Sequence, residues 1–350
     1  MEENVISSFV NDTIPSGGSE ASPTPAAAPA PSPTPSAAQF ASPAPVAGVA
    51  AAPAPRMNPL FPGRTFISTV LDALDSKETM TGKFTGKYMQ RAVMAGFFVG
   101  IFFTAFFAIS ATFAATGPAM ALVGKVIAAL TFGWALVLIY YTNSELLTSN
   151  MMIISIGVYH KRIDWLHSLR ILALCLLGNL IGGLVIAVLM RFSSITDGVI
   201  FTQMANAALA KTGYVTQGFG GIVDLFVRAI FCNFCINIGM LMVYNGKLVN
   251  DFTKCIIMVV AVFVFAYLGF EHSVADSVLF LIVGLHGVIN PWLAIAAIIV
   301  ILLGNFVGGG VLIGLNFAVM NDRPHPNPSQ PGEFENSALE HLEAPRPAGL

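Results

Sequence analysis

The chain has 350 residues, of which 55% are hydrophobic and only 10% charged; its formal net charge is −2 and its mean hydropathy +0.74. Soluble domains carry about 25% charged residues, so this composition excludes a soluble globular protein and specifies an integral membrane protein. With no basic stripe of Lys and Arg, nucleic acid is excluded as a partner.

Residues 1–62 hold thirteen of the 21 prolines, interleaved with Ala, Ser and Thr. Such a segment cannot bury enough apolar surface to offset its chain entropy, so a disordered tail is expected. Met1-Glu2-Glu3 is acidic and no apolar core follows, which is not the pattern of a signal peptide. The tail reads as a tether or as a docking segment for a cytoplasmic partner. Residues 321–350, Pro-rich with scattered Glu, read as a second cytoplasmic tail, which leaves 63–320 as a six-span transmembrane pore domain.

The spans follow in order. Residues 92–115 form a clean apolar run of 24, enough to cross a ~30 Å hydrocarbon core as a helix. Residues 126–141 and 151–158 make a second crossing, interrupted by Thr142-Asn143-Ser144-Glu145-Leu146-Leu147-Thr148-Ser149-Asn150. Residues 171–190 and 220–243 are the third and fourth spans, and 193–217 between them reads as a short helix outside the bilayer core. Residues 255–285 form the fifth span, broken at Gly269-Phe270-Glu271-His272-Ser273-Val274-Ala275-Asp276, and 292–315 the sixth. Ten Lys or Arg flank one side (Lys77, Lys83, Lys87, Arg91, Lys161, Arg162, Arg170, Lys247, Lys254, Arg323) and three the other (Lys125, Arg191, Lys211). The positive-inside rule then puts both termini in the cytoplasm of a multi-pass cell-membrane protein.

Glu, His, Ser and Thr persist within hydrocarbon only where they face a polar cavity or one another, so each break is a candidate functional site. The two breaks are also related. Asn179 follows Glu145 by 34 residues and Asn305 follows Glu271 by 34, each asparagine inside a Gly-Asn-x-x-Gly-Gly stretch. Each half therefore holds three spans, and an odd number inverts the second copy, giving two inverted three-helix repeats with broken second and fifth helices. The buried amides of Asn179 and Asn305 are expected to tie broken backbone to its neighbours. Ser273-Val-Ala-Asp276 reads as a capping box, which makes Asp276 structural. Half-helices beginning in mid-membrane aim partial positive charge at the centre and favour an anion there.

Glu145-Leu-Leu-Thr-Ser-Asn150, Gly178-Asn-Leu-Ile-Gly-Gly183, Phe270-Glu-His-Ser-Val-Ala275 and Gly304-Asn-Phe-Val-Gly-Gly-Gly310 resemble the signatures of the formate/nitrite transporter family. The resemblance covers about residues 70–320. It implies an aquaporin-like protomer within a homopentamer, each protomer with its own pore for formate or a related monoacid: nitrite, hydrosulfide, lactate or acetate. Two positions depart from the family pattern: Asp276 stands where Asn is usual, and Leu147 where an aromatic is often found. By resemblance His272 is the central pore residue, Glu271 its tuning neighbour, and Thr148 the hydroxyl facing it from the other break. The same residues also fit a polar pair that locks one break, and a cap on a half-helix starting near Ser149. By resemblance Asn179, Asn305 and Asn233 support the pore, and Phe132, Leu136, Leu146, Leu147, Ile236 and Phe265 form its constrictions. Lys211 resembles a vestibule lysine that attracts anions, or is a surface lysine.

Other classes fit less well. A water or small neutral solute channel calls for two Asn-Pro-Ala motifs, whereas the Asn-Pro pairs here begin at Asn58, Asn290 and Asn327, at or beyond span ends. An intramembrane hydrolase would need a Gly-x-Ser-x-Gly or His-Glu-x-x-His context, so no enzyme activity is expected. Cys232-x-x-Cys235 lacks a partner pair, and no metal or cofactor is expected.

Overall fold

The computed structural model describes residues 63–322, and every regular element among them is helical. Both Pro-rich tails inferred from the sequence lie outside the described residues. The described chain begins with α1 (Arg64–Lys83), which the sequence reading did not foresee. Charges of both signs hide it from a search for spans, but Phe66, Ile67, Val70, Leu74 and Thr81 fall on one face and are buried, the pattern of an amphipathic helix. It packs against the later half-helix α4 and pairs Asp75 with Arg162 at 2.6 Å.

The remaining helices are α2 (Thr85–Ala114), α3 (Pro118–Tyr141), α4 (Leu147–Tyr159), α5 (Trp165–Arg191), α6 (Val199–Thr216), α7 (Gly218–Tyr244), α8 (Asp251–Leu268), α9 (Ser273–Gly284) and α10 (Pro291–Asn305). The last continues through a π-helical stretch, Phe306–Leu315, to Met320. Among the described residues six helices are long and apolar enough to cross a membrane: α2, α3, α5, α7, α8 and Pro291–Met320. The first and last described residues meet on one face, where the Gly63 N–H donates to Asn321 Oδ1 at 2.8 Å. This is the return that an even number of crossings requires.

The breaks differ from the sequence expectation in position. The first was drawn in the middle of a crossing, but α3 is itself 24 residues long, about 36 Å at 1.5 Å per residue. Its last residue, Tyr141, reaches Asp251 at the start of α8. The chain then turns back, with the Glu145 N–H bonded to the Arg91 carbonyl, before the 13-residue α4 begins. Likewise α8 runs its full length, residues 269–272 turn inward, and α9 has only 12 residues. Left-handed residues make both turns, Asn143 at φ 53° and Gly269 at φ 71°. They stand at equivalent repeat positions, offset by 126 residues like Glu145 and Glu271 or Asn179 and Asn305.

Close helix contact follows the same repeat. A Cβ on Gly182 would lie 2.1 Å from the Val93 carbonyl oxygen, and one on Gly308 would lie 2.1 Å from that of Ile230. The third helix of each half is therefore pressed against its first, α5 on α2 and α10 on α7. The halves interlock as well: α5 packs on α9, and the π-helical stretch packs on α4.

Backbone atoms cannot yield as a flexible side chain can, so Gly182→Val and Gly308→Val are each expected to abolish the folded protein. The measurement is the monodisperse fraction after detergent extraction. Recovery of either variant at the parent's level would mean that these contacts are not obligatory.

Candidate functional site

Where the chain turns inward, four backbone groups per break need partners that lipid cannot supply. One asparagine serves each break in the same way. Asn179 Oδ1 accepts from the Leu147 N–H at 3.0 Å, while its Nδ2 donates to the Ala92 and Glu145 carbonyls, both at 2.8 Å. Asn305 Oδ1 accepts from the Ser273 N–H at 2.9 Å, while its Nδ2 donates to the Ala229 and Glu271 carbonyls at 2.8 and 2.9 Å. Each amide thus caps the half-helix from outside and pins the turn before it to the first span of its own half.

These bonds replace the caps read from the sequence. The first half-helix begins at Leu147 rather than near Ser149, and no side chain of its own caps it. The capping box on Ser273 and Asp276 does not form. His272 is the N-cap of α9, its Nδ1 accepting from the Ala275 N–H at 3.1 Å, and Asp276 turns to Lys211 instead. A hydroxyl is a common N-cap acceptor, which is why Ser273 invited the reading, but its Oγ finds no partner among the described residues.

The N-terminal ends of α4 and α9 meet at the centre. Thr148 Oγ1 lies 3.3 Å from His272 Nε2, with both residues buried. Because Nδ1 accepts the cap bond, a neutral ring carries its proton on Nε2, directed at Thr148. The Thr148 carbonyl is held in turn by Nδ2 of Asn233 at 3.1 Å and of Asn237 at 3.2 Å. Asn233 also reaches the Asn305 carbonyl at 2.7 Å, so it joins the two breaks. Asn237 was not singled out from the sequence. Its signal was present, since it lies one turn from Asn233 and is a second amide in an apolar helix.

The candidate constriction residues are buried, but they fall into different places. Phe265 stacks on His272 with ring centroids 5.9 Å apart, and Phe132 meets Phe265 edge-on at 6.0 Å. The chain of rings continues through Phe103, 5.1 Å from Phe132 and another residue that the sequence reading passed over. Leu136 and Leu146 line a cavity of about 500 Å³ together with Lys77, Arg91 and Glu145. Leu147 and Ile236 are buried and do not line it.

Two lysines flank the centre, each on an amphipathic or short helix that opens its half. Lys77 of α1 pairs with Glu145 at 2.5 Å, and Asn150 Nδ2 donates to the same carboxylate at 3.1 Å. Lys211 of α6 bonds to Glu271 and lies 3.0 Å from Asp276 Oδ1. Lys211 is therefore not a surface lysine: it is largely buried and two carboxyls engage it. The repeat is accordingly longer than three spans: α1 and α6 correspond, and each supplies the counter-ion for the buried glutamate of its half.

Comparison with known proteins agrees with this architecture. The chain is 26% identical over 198 residues to the uncharacterized transporter YwcJ of Bacillus subtilis, covering 55% of this chain and 74% of that one. It is 27% identical over 217 residues to the formate channel FocA of Haemophilus influenzae (55% and 72% covered), and 30% identical over 193 residues to the nitrite transporter NirC of Escherichia coli K12 (53% and 68%). Among solved structures it shares the fold of an FNT family ion channel, with a TM-score of 0.64 and 23% identity over 73% of this chain and 98% of that one. A pentameric formate channel with formate bound matches at a TM-score of 0.54 and 22% identity, covering 67% and 97%. The fold is thus the all-helical, aquaporin-like protomer. With the family profile described as Formate/nitrite transporter matching residues 65–319, the chain belongs to the formate/nitrite transporter family of membrane channels and transporters.

Proposed function

We propose that the protein moves formate, or a closely related monoacid such as nitrite or hydrosulfide, through a pore within each protomer of a homopentamer in the cell membrane. The observation that carries this reading is the meeting of the α4 and α9 N-termini at Thr148 and His272, between apolar groups on either hand. Two helix N-termini aimed at one point favour a small anion or the polar end of a weak acid. Water or another neutral solute would gain little from this arrangement.

The residues divide the work by charge. Lys77 and Arg91 against the single Glu145 leave the cavity on their side with excess positive charge, which gathers the anion. Beyond Leu136 and Leu146 a bare anion loses its hydration at a cost of many kcal/mol. A weak acid that takes up a proton crosses these groups, and the Phe132–Phe265 pair, as a neutral molecule. Thr148 and the Nε2–H of His272 offer it hydrogen bonds at the centre. Asn179, Asn233 and Asn305 hold those donors in place without touching substrate. The Lys-rich face holding Lys77 is the cytoplasmic one by the positive-inside rule, so both tails lie in the cytoplasm.

Purified protein in proteoliposomes is expected to take up labelled formate, faster when the outside is acidic. The same assay with nitrite, hydrosulfide, lactate and acetate ranks the substrates. Absence of flux for all five would remove the transport reading. Native mass measurement in mild detergent is expected to show five chains, and a monomer would count against the assembly.

His272→Asn keeps an acceptor able to cap α9, so it is expected to assemble normally. Its shorter side chain withdraws the donor from Thr148, and one strong hydrogen bond of about 1.5 kcal/mol corresponds to roughly ten-fold in acid-promoted uptake. His272→Phe removes both cap and donor and is expected to bring flux near background. Parent-like uptake by His272→Asn at every external pH would reduce His272 to a helix cap.

A further inference from the structure

Glu145 and Glu271 stand at equivalent positions of the two breaks, as do Asn150 and Asp276, and at the second of these pairs the difference changes the charge. In the first half Lys77, Glu145 and Asn150 form a cluster of one cation, one anion and one amide. In the second half Lys211, Glu271 and Asp276 occupy the corresponding places, so the amide has become a second carboxyl. Both carboxyls are buried, Glu271 at 3% and Asp276 at 1% exposure. Two carboxylates against one ammonium leave a net negative charge in the protein interior, and an uncompensated buried charge is strongly unfavourable.

The surroundings do not supply the missing positive charge. Arg228 of α7 feels Glu271, but it is partly exposed, bonds to Asp224 at 2.9 Å and lies over the Tyr214 ring of α6. Cys232 of α7 faces the pair without a charge, and His272 is tied by its cap and by Thr148. The helices α4 and α10 bring no ionisable Asp, Glu, Lys, Arg or His. On α2 the charged residues are Lys87 and Arg91 in its first turns, against Phe84 and Met80, and on α5 His167 pairs with Asp164, Arg170 bonds to the Thr81 carbonyl and Arg191 is exposed. Asp276 Oδ1 lies against Lys211 Nζ, whereas its Oδ2 finds no donor among the described residues. The Glu271 and Asp276 carboxyls both engage the one Lys211 ammonium, which brings them together.

We propose that Asp276 holds a proton, making the Lys211–Glu271–Asp276 cluster a proton-binding site distinct from His272. Water on the Lys211 side supplies the proton. It sits on Asp276 Oδ2, while Oδ1 goes on accepting from Lys211. The occupied cluster is then neutral overall, matching Lys77, Glu145 and Asn150 in the other half. Loss of the proton restores a negative charge one helical turn from His272, the Asp276 N–H bonding to the His272 carbonyl at 2.8 Å. That charge repels an anion at the centre, so proton occupancy favours it there. This consequence for flux rests on the transport reading; the proton site rests on the cluster alone.

Infrared spectroscopy of the purified full-length protein in lipid, with and without isotope-labelled aspartate, tests the site directly. A C=O stretch from a protonated buried carboxyl is expected at neutral pH, shifted by the label and absent in Asp276→Asn, the variant that copies Asn150. Glu271→Gln is expected to shift the band by removing the neighbouring carboxyl that engages the same ammonium. The unlabelled, labelled and Glu271→Gln samples decide the matter even if Asp276→Asn does not fold. No such band at neutral pH, or a band indifferent to the label, overturns the proposal. In proteoliposomes Asp276→Asn is expected to carry formate several-fold faster than the parent at alkaline external pH and equally at acid pH. Parent protein inactive with every monoacid, but showing the labelled band, would sink the transport reading and leave the proton site standing.

Discussion

Two asparagine side chains, Asn179 and Asn305, hold the molecule's polar backbone inside its apolar body. Each accepts one N–H at the start of a half-helix and donates to two carbonyls, one in the turn and one on the first span of its half. In hydrocarbon such backbone groups have no water to turn to, and a buried polar group left without a partner costs about 1–3 kcal/mol. The breaks exist because these amides reach them, and the amides reach them because Gly182 and Gly308 let the helices close to backbone contact.

From that constraint the centre follows. With both half-helices fixed, their N-termini converge and set Thr148 against His272. Asn233 and Asn237 then clamp the Thr148 carbonyl so that its hydroxyl cannot drift. His272 has two tasks in one ring, capping α9 through Nδ1 and presenting Nε2–H inward. A doubly protonated ring would give up the cap, which argues for a hydrogen-bond donor in this conformation. Proton storage, as proposed for the neighbouring cluster, is then separated from substrate contact: Asp276 holds the proton while His272 keeps its shape.

Symmetry explains the economy of the fold. Left-handed turns, trans caps, close glycine contacts and counter-ion lysines all recur between the halves. The breaks share only their glutamate in sequence, and two of the differences bring in ionisable groups: His272 stands where the first half has Leu146, and Asp276 where it has Asn150. Neither change is needed to build the fold, since the other half folds without it.

The sequence by itself determined the class, the six spans, the paired breaks and the inverted repeat, because hydropathy over ~20 residues and equal motif spacing are local or one-dimensional signals. Glu145, Glu271, Asn179 and Asn305 were legible for the same reason, as polar residues that hydrocarbon would otherwise exclude. The tertiary structure alone decided which groups those residues satisfy. Caps at Ser273 and near Ser149 were read from local chain chemistry, but His272 caps α9 and asparagines of distant helices accept the Leu147 and Ser273 N–H groups. The helix α1 escaped notice because its apolar stripe is diluted by charges that only the folded protein pairs, Asp75 with Arg162 and Lys77 with Glu145. The partners of Lys211 escaped notice for the same reason: they are 60 and 65 residues away in the chain, and only folding brings them to its amine.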